Sequence, residues 1–224
     1  MGKHRSILIT AGPTHEAIDA VRYVANRSSG RMGVAIAEAA RDAGWNVTLL
    51  LGPGCAPPHD GVTVRDFVST ADLAKLLDRT FCDCDVLIMA AAVADFRPAE
   101  PVKGKIPRSQ ERLVVEMDRT PDLVARCASA KKPHQFVVGF ALEDPQDLQR
   151  RAHEKLRRKG LDALVANPLD TMGAETVKGF LCTADGQTLT PSGKKNKDGA
   201  LSKVAFARWL IEWVGERVSE AGKG

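Results

Sequence analysis

The chain has 224 residues, of which 44% are hydrophobic and 27% charged, the balance of a soluble globular protein. A formal net charge of +4 is too small and dispersed for a nucleic-acid surface, although it suits a polyanionic small substrate. No apolar run approaches the roughly 20 residues of a membrane helix, and five irregularly spaced cysteines match neither a disulfide framework nor a zinc site. Met1 to Arg5 run straight into an apolar strand with no room for a secretory leader, so a cytoplasmic protein with reduced thiols is expected, with 1–224 as one domain.

Ser6–Ala11 reads as a buried strand that turns at Gly12-Pro13-Thr14 into a polar stretch reaching Ser29. Gly30–Gly44 carries Ile36, Ala39, Ala40 and Ala43 at helical spacing and closes on Gly44. Strands follow at Asn46–Leu51 and Val62–Phe67, then a helix capped by Ser69-Thr70 with Leu73, Leu76 and Leu77 on one face. Asp85–Ala94 is the strongest strand signal. Phe96–Ser109, rich in Pro, Lys and Arg, reads as a loop, and Leu113–Met117 as a strand. Pro121-Asp122 opens a helix toward Ala130. Beyond it the pattern predicts a strand at Phe136–Leu142, a charged helix at Asp147–Lys159, and a strand at Ala163–Ala166. A hairpin is expected at Phe180–Leu189 with Ala184-Asp185-Gly186 at its tip, and a last helix at Ala200–Val218 with Val204, Ala207, Leu210, Ile211 and Val214 inward. Alternating strands and helices imply right-handed crossovers, hence an α/β, doubly wound, Rossmann-like parallel sheet with a small β insertion.

Ligands of such sheets bind beyond the C-terminal strand ends, which selects Gly12–Gly33, Ala90–Lys105, Gly139–Glu143 and Asn167–Thr176. The first segment is neither a P-loop nor a GxGxxG turn. Ser28, Ser29 and Gly30 at a helix start offer hydroxyls and N–H groups to an anion, and spacing alone leaves this open against a plain helix start. Ala90, Ala91 and Ala92 let a ligand approach the strand end. Asp95 suits a ribose, and Arg97, Lys103, Lys105 and Arg108 suit phosphates or a solvated basic loop. Lys155 and Lys159 share a helix face.

The order ILITAGPTHEAIDAVRYVANRSSGRMG, AAAVADFRP, a basic loop, TPDL, VGFALE and a lysine helix ending in LDALVANP resembles phosphopantothenate–cysteine ligase over about Ser6 to Val214. The flavin-binding half often fused to that ligase is absent from the sequence, so a stand-alone ligase is expected. The resemblance implies that 4′-phosphopantothenate, L-cysteine and CTP (or ATP) give 4′-phosphopantothenoyl-cysteine through an acyl-nucleotide. It places Asn26, Lys105 and Arg22 in catalysis, with Asn26, Arg22, Ala91 and Ala92 against the substrate. The nucleotide falls to Ser28, Ser29, Gly30, Met89, Ala91, Ala92, Asp95, Lys105, Thr120, Pro121, Asp122, Phe140, Lys155 and Lys159. Magnesium is implied to travel with the triphosphate, without a protein-built metal site and without flavin. A homodimer formed through Leu113–Met117 and Phe180–Leu189 is implied as well. Departures from the family pattern are Lys105-Ile106-Pro107-Arg108 in place of KIKK, Pro13 in place of a glycine, and Ala20 where proline is common.

Two other readings compete. An NAD(P)-dependent dehydrogenase calls for a Gly-rich turn after strand one, an acid ending strand two and a Tyr-x-x-x-Lys pair. Strand two instead ends in Leu51-Gly52, and Tyr23 is the single tyrosine. A non-enzymatic nucleotide-binding partner of a separate flavoprotein decarboxylase would bind CTP without releasing pyrophosphate.

Overall fold

A computed structural model describes residues 5–108, 112–169, 174–197 and 199–221. Residues 1–4, Ser109 at the end of the predicted loop, and 170–173 within the predicted Asn167–Thr176 segment lie outside the described residues.

In chain order the elements are β1 (Ser6–Ala11), β2 (His15–Ala17), β3 (Tyr23–Ala25), α1 (Arg31–Asp42), β4 (Asn46–Leu51), β5 (Thr63–Asp66) and α2 (Thr70–Thr80). Then come β6 (Val86–Met89), β7 (Phe96–Pro98), β8 (Met117–Arg119), α3 (Leu123–Ala130), β9 (Phe136–Glu143) and α4 (Leu148–Lys159). The chain ends with β10 (Ala163–Pro168), β11 (Thr176–Val177), β12 (Phe180–Thr183), β13 (Thr188–Leu189), β14 (Leu201–Ser202) and α5 (Lys203–Ala221).

The main sheet runs β13-β12-β10-β9-β6-β1-β4-β5. Its six strands from β5 to β10 are parallel, in the doubly wound order third-second-first-fourth-fifth-sixth. The Phe180–Leu189 hairpin is present, but it extends this sheet antiparallel to β10 and makes it mixed, so it is not a separate insertion. Leu181, Cys182 and Thr183 are buried there.

Both faces of the sheet are covered, which explains why its strands read as continuous apolar runs. Ile7, Ile9 and Ala11 pack with Ile36 and Ala40 of α1 and with Phe206, Leu210 and Val214 of α5. Leu8 turns to the other face, with Leu73 and Leu77 of α2, Leu123 of α3, and Ala152 and Leu156 of α4. Each such fully buried Leu or Ile contributes roughly 1.5–3 kcal/mol. The helix ends are chemically specified as well. Ser69 and Asp72 form a capping box on α2, the Asp122 carboxylate caps α3 from just outside it, and Gly160, at φ 64°, ends α4.

Four expectations are corrected. The polar stretch after Thr14 forms the β2–β3 hairpin. Within the predicted loop, Phe96–Pro98 pairs with Met117–Arg119, so the partner strand begins where Leu113–Met117 was expected to end. The central strand stops at Met89, because β1 ends at Ala11. Ala92 instead bonds to the loop beyond, donating its N–H to the Gly12 carbonyl and accepting from Thr14 N–H. Val204 is 52% exposed, since the first turn of α5 stands at the rim of the cleft described below rather than under the sheet.

Candidate active site

The connections after β1 and β6, neighbours at the centre of the sheet, run to opposite faces, and a crevice opens between them. A cleft of about 580 Å³ lies there. Met89 to Asp95 form its floor. Asn26 to Gly33 line one side, and Thr120 to Val124, Phe140 to Leu142, Lys155 and Lys159 the other. Asn167, Leu169, Thr176, Val177 and Lys203 complete it.

The α1 side is prepared for an anion by what it lacks. Gly30 takes φ 67° as the residue before the helix, and no side chain caps α1. Its own N–H is turned toward Ser28 Oγ at 3.3 Å. The first-turn N–H groups of Arg31, Met32 and Gly33 have no carbonyl within their helix, and these residues line the cleft. The dipole adds positive potential at the same place. Gly33 allows α1 to sit this close to β1, because a Cβ there would lie 2.5 Å from Ala11 Cβ and 2.9 Å from the Thr10 carbonyl oxygen.

The floor is held by small hydroxyl residues. Ala91 N–H donates to Thr10 Oγ1 at 3.1 Å and Ala94 N–H to Thr14 Oγ1 at 3.0 Å. Thr120 donates its N–H to the Asp95 carbonyl and its hydroxyl to the Ala94 carbonyl, so β8 is tied to the floor. Asn26 spans the floor's edge, its Nδ2 lying 2.9 Å from the Val93 carbonyl and 3.4 Å from the Ala92 carbonyl. The donor that resemblance assigns to an intermediate is therefore engaged by backbone.

On the opposite wall the two lysines are already paired. Lys155 Nζ is 2.9 Å from Glu143, and Lys159 Nζ is 2.9 Å from Asp122, the cap of α3. Arg31 pairs with Glu175. Asn167 Oδ1 is buried without a hydrogen-bond partner among the described residues.

Two predicted site residues stand outside the cleft. The Arg22 guanidinium meets Asp19 at 2.9 Å and donates to the Ile106 carbonyl at 3.3 Å. Asp19, buried, accepts the N–H groups of Val21, Arg22 and Ile106 at 2.8, 2.7 and 3.1 Å. These bonds, that from Val21 foremost, together with the Arg22 charge, hold its carboxyl below the usual range against the opposing effect of burial. The network fastens the β2–β3 hairpin to the segment carrying Lys105, which is exposed. Glu16, buried, fixes the same hairpin to the start of α2 by accepting Thr70 N–H at 2.8 Å and its hydroxyl at 2.7 Å. Sequence reasoning missed Arg31 and Lys203 in the cleft. For Lys203 a signal was available, since a lysine in a helix's first turn opposes the dipole. All five cysteines are free, and burial pushes Cys84 up to about 12 and Cys127 to about 11.

A doubly wound sheet with a helix start at its switch point and basic groups on both walls of the crevice defines a Rossmann-like α/β protein with its cleft at the C-terminal strand ends. The chain belongs to the DNA/pantothenate metabolism flavoprotein C-terminal domain family, whose model matches residues 2–215. It is 37% identical over 216 residues to the coenzyme A biosynthesis bifunctional protein CoaBC of Vibrio cholerae, covering 96% of this chain and 53% of that protein. A cysteine/cysteine sulfinic acid decarboxylase of an unknown prokaryotic organism is 43% identical over 171 residues, covering 76% of this chain and 47% of that protein. The chain thus spans about half the length of the curated relatives it matches. Among solved structures, the C-terminal domain of a coenzyme A biosynthesis bifunctional protein CoaBC superposes with a TM-score of 0.80 at 34% identity, covering 96% of both chains.

Proposed function

We propose that this protein joins 4′-phosphopantothenate to L-cysteine in coenzyme A biosynthesis, driven by CTP in preference to ATP. The observation that carries this reading is the makeup of one cleft. Asn26, the α1 start, Ala91–Ala92, Asp95, Thr120–Asp122, Phe140 and the Lys155/Lys159 pair all line it. A carboxylate oxygen of 4′-phosphopantothenate attacks the α-phosphorus of the nucleotide, the bond to the β-phosphate oxygen breaks, and pyrophosphate leaves. The cysteine amine then attacks the acyl carbon, CMP departs and the nitrogen loses a proton.

Neither step needs a covalent protein group, so positioning and charge stabilisation do the work. The alanines allow close approach at the floor and Asp95 takes the ribose. Phe140 and Thr120–Asp122 flank the base. Lys155 and Lys159 exchange their carboxylates for phosphate oxygens, and Asn26 exchanges a backbone carbonyl for the oxyanion. Magnesium enters as part of the nucleotide substrate, with phosphate oxygens and water as its main ligands. No oxidation state changes, so the reaction calls for no flavin. Arg22 and Lys105 act from the arm formed by β2–β3 and β7–β8, and a homodimer joined through that arm is the proposed complete enzyme. The arrangement fits small substrates of the cytoplasm rather than nucleic acid or membrane. Among the described residues, no helix is long and apolar enough to cross a membrane. A separate flavoprotein decarboxylase is a natural supplier of further chemistry to the product.

The test is pyrophosphate release with 4′-phosphopantothenate, cysteine and each nucleotide in turn. Turnover requiring all three substrates and fastest with CTP is expected. Tight CTP binding without pyrophosphate release would leave only a nucleotide-binding module, and turnover with ATP alone would reverse the choice of base.

A further inference from the structure

Lys203 is a cation for which the proposed chemistry has no use so far. It opens α5 and lines the cleft on the face of the sheet that carries α1 and α5, whereas Lys155 and Lys159 belong to α4 on the other face. Three things oppose a charge at this place. The side chain is half-buried, Arg31 is close enough to act on it as a like charge, and the N-terminus of a 19-residue helix repels cations. The first two, burial foremost, lower the pKa of its ammonium. Arg31, Lys155 and Lys159 each have a carboxylate partner, but among the described residues Lys203 Nζ has no hydrogen-bond or ion-pair partner. An ammonium held in a cleft wall against all three effects costs stability unless an incoming anion offsets it.

We propose that Lys203 is a polyphosphate-binding residue. With Arg31 and the first-turn N–H groups of α1, it holds the β- and γ-phosphates of the nucleotide that leave as pyrophosphate. This deepens the ligase reading and rests on it for the identity of the nucleotide. The nucleotide tail is favoured over the 4′-phosphate of the acid for two reasons. The α1 pole has an uncapped helix start and a cation that has no partner among the described residues, whereas Lys155 and Lys159 at the α4 pole each have a carboxylate, so the most highly charged group belongs at α1. The α1 start of a doubly wound sheet is also where a diphosphate meets backbone N–H groups. A base between Phe140 and Pro121 then places the phosphate chain across the Ala91–Ala92 floor toward α1.

Titration calorimetry on the full chain with CTP, CMP, inorganic pyrophosphate and 4′-phosphopantothenate tests this. Lys203→Gln should bind CMP as the unaltered protein does while losing about 10- to 100-fold in affinity for CTP and pyrophosphate, and Lys203→Arg should recover most of the loss. Equal losses for CMP and CTP, or a loss confined to 4′-phosphopantothenate, would overturn the assignment. Should the unaltered protein release no pyrophosphate from any nucleotide while its pyrophosphate affinity still depends on Lys203, the ligase reading falls and the polyphosphate seat stands.

Discussion

At the scale of single residues, Asn26 shows how a proposed role and a structural role can share one amide. Its Nδ2 already bridges the Ala92 and Val93 carbonyls, so the group is preorganised at the floor's edge before any ligand arrives. An aspartate there would set a carboxylate against two carbonyl oxygens and disturb the floor as well as the chemistry. Asn26→Ala is the cleaner probe, because the site is exposed and truncation leaves no buried donor stranded. It should lower turnover by roughly 10²–10³-fold, the usual cost of one oxyanion donor, while CTP affinity stays within a few-fold. Calorimetry beside a pyrophosphate-release assay separates the two, and normal turnover in Asn26→Ala would remove this residue from the reaction. Lys155 and Lys159 follow a similar logic, since each must leave a carboxylate at 2.9 Å to meet phosphate. Glu143 and Asp122 thereby keep two partly buried lysines satisfied in the cleft wall.

At the scale of elements, the β2–β3 and β7–β8 ribbons bury little and are held instead by polar ties. Asp19 is the main one, joining the hairpin to the Lys105 segment through Ile106. Because its folded-state pKa is lowered, its contribution is present above the usual carboxylate range and is lost as pH falls through the lowered value. Protection of the Ile106 amide in hydrogen exchange should therefore persist at neutral pH and fade only in acid. At neutral pH, Asp19→Ala should speed tryptic cleavage at Lys103 and Lys105 with little change in Tm, and unaltered cleavage would show that other contacts hold the segment. These ribbons are also what the sequence hid. Ser6–Ala11 and Asn46–Leu51 are buried on both faces and declare themselves as apolar runs. Phe96–Pro98 and Met117–Arg119 are largely exposed and exist by pairing with each other across 18 intervening residues, so no local period marks them. The cleft residues were readable because strand ends and helix starts in a doubly wound sheet are local features. The outward placement of Arg22 and Lys105 was not, because it depends on the long-range bonds that tie Ile106 to Asp19 and Arg22.

At the scale of the whole molecule, the ribbons and their flanks expose large apolar side chains among the described residues. Val21 is 62% exposed, Tyr23 54%, Phe96 46%, Val102 48%, Leu113 44% and Val114 71%, all on or beside the same arm. Scattered exposed valines are ordinary, but several large apolar side chains exposed on one arm suit an interaction surface. The occupant proposed is a second copy of this chain, because the arm also carries Arg22 and Lys105, the two residues assigned to catalysis that do not line their own cleft. Association through the arm would thus order both groups where they are needed. Phe180–Leu189, also expected at the interface, buries Leu181 and Cys182 within the main sheet, so the proposal rests on the arm, where the other expected segment, Leu113–Met117, lies. Light scattering at micromolar concentration should give twice the 24.1 kDa chain mass. Val21→Asp combined with Val114→Asp should give the monomer mass with an unchanged far-UV spectrum, since both side chains are exposed in one chain, and turnover should fall with the dimer fraction. A monomeric unaltered protein with full turnover would confine the whole reaction to one chain, and Arg22 and Lys105 would then have to reach their own cleft by movement of the arm.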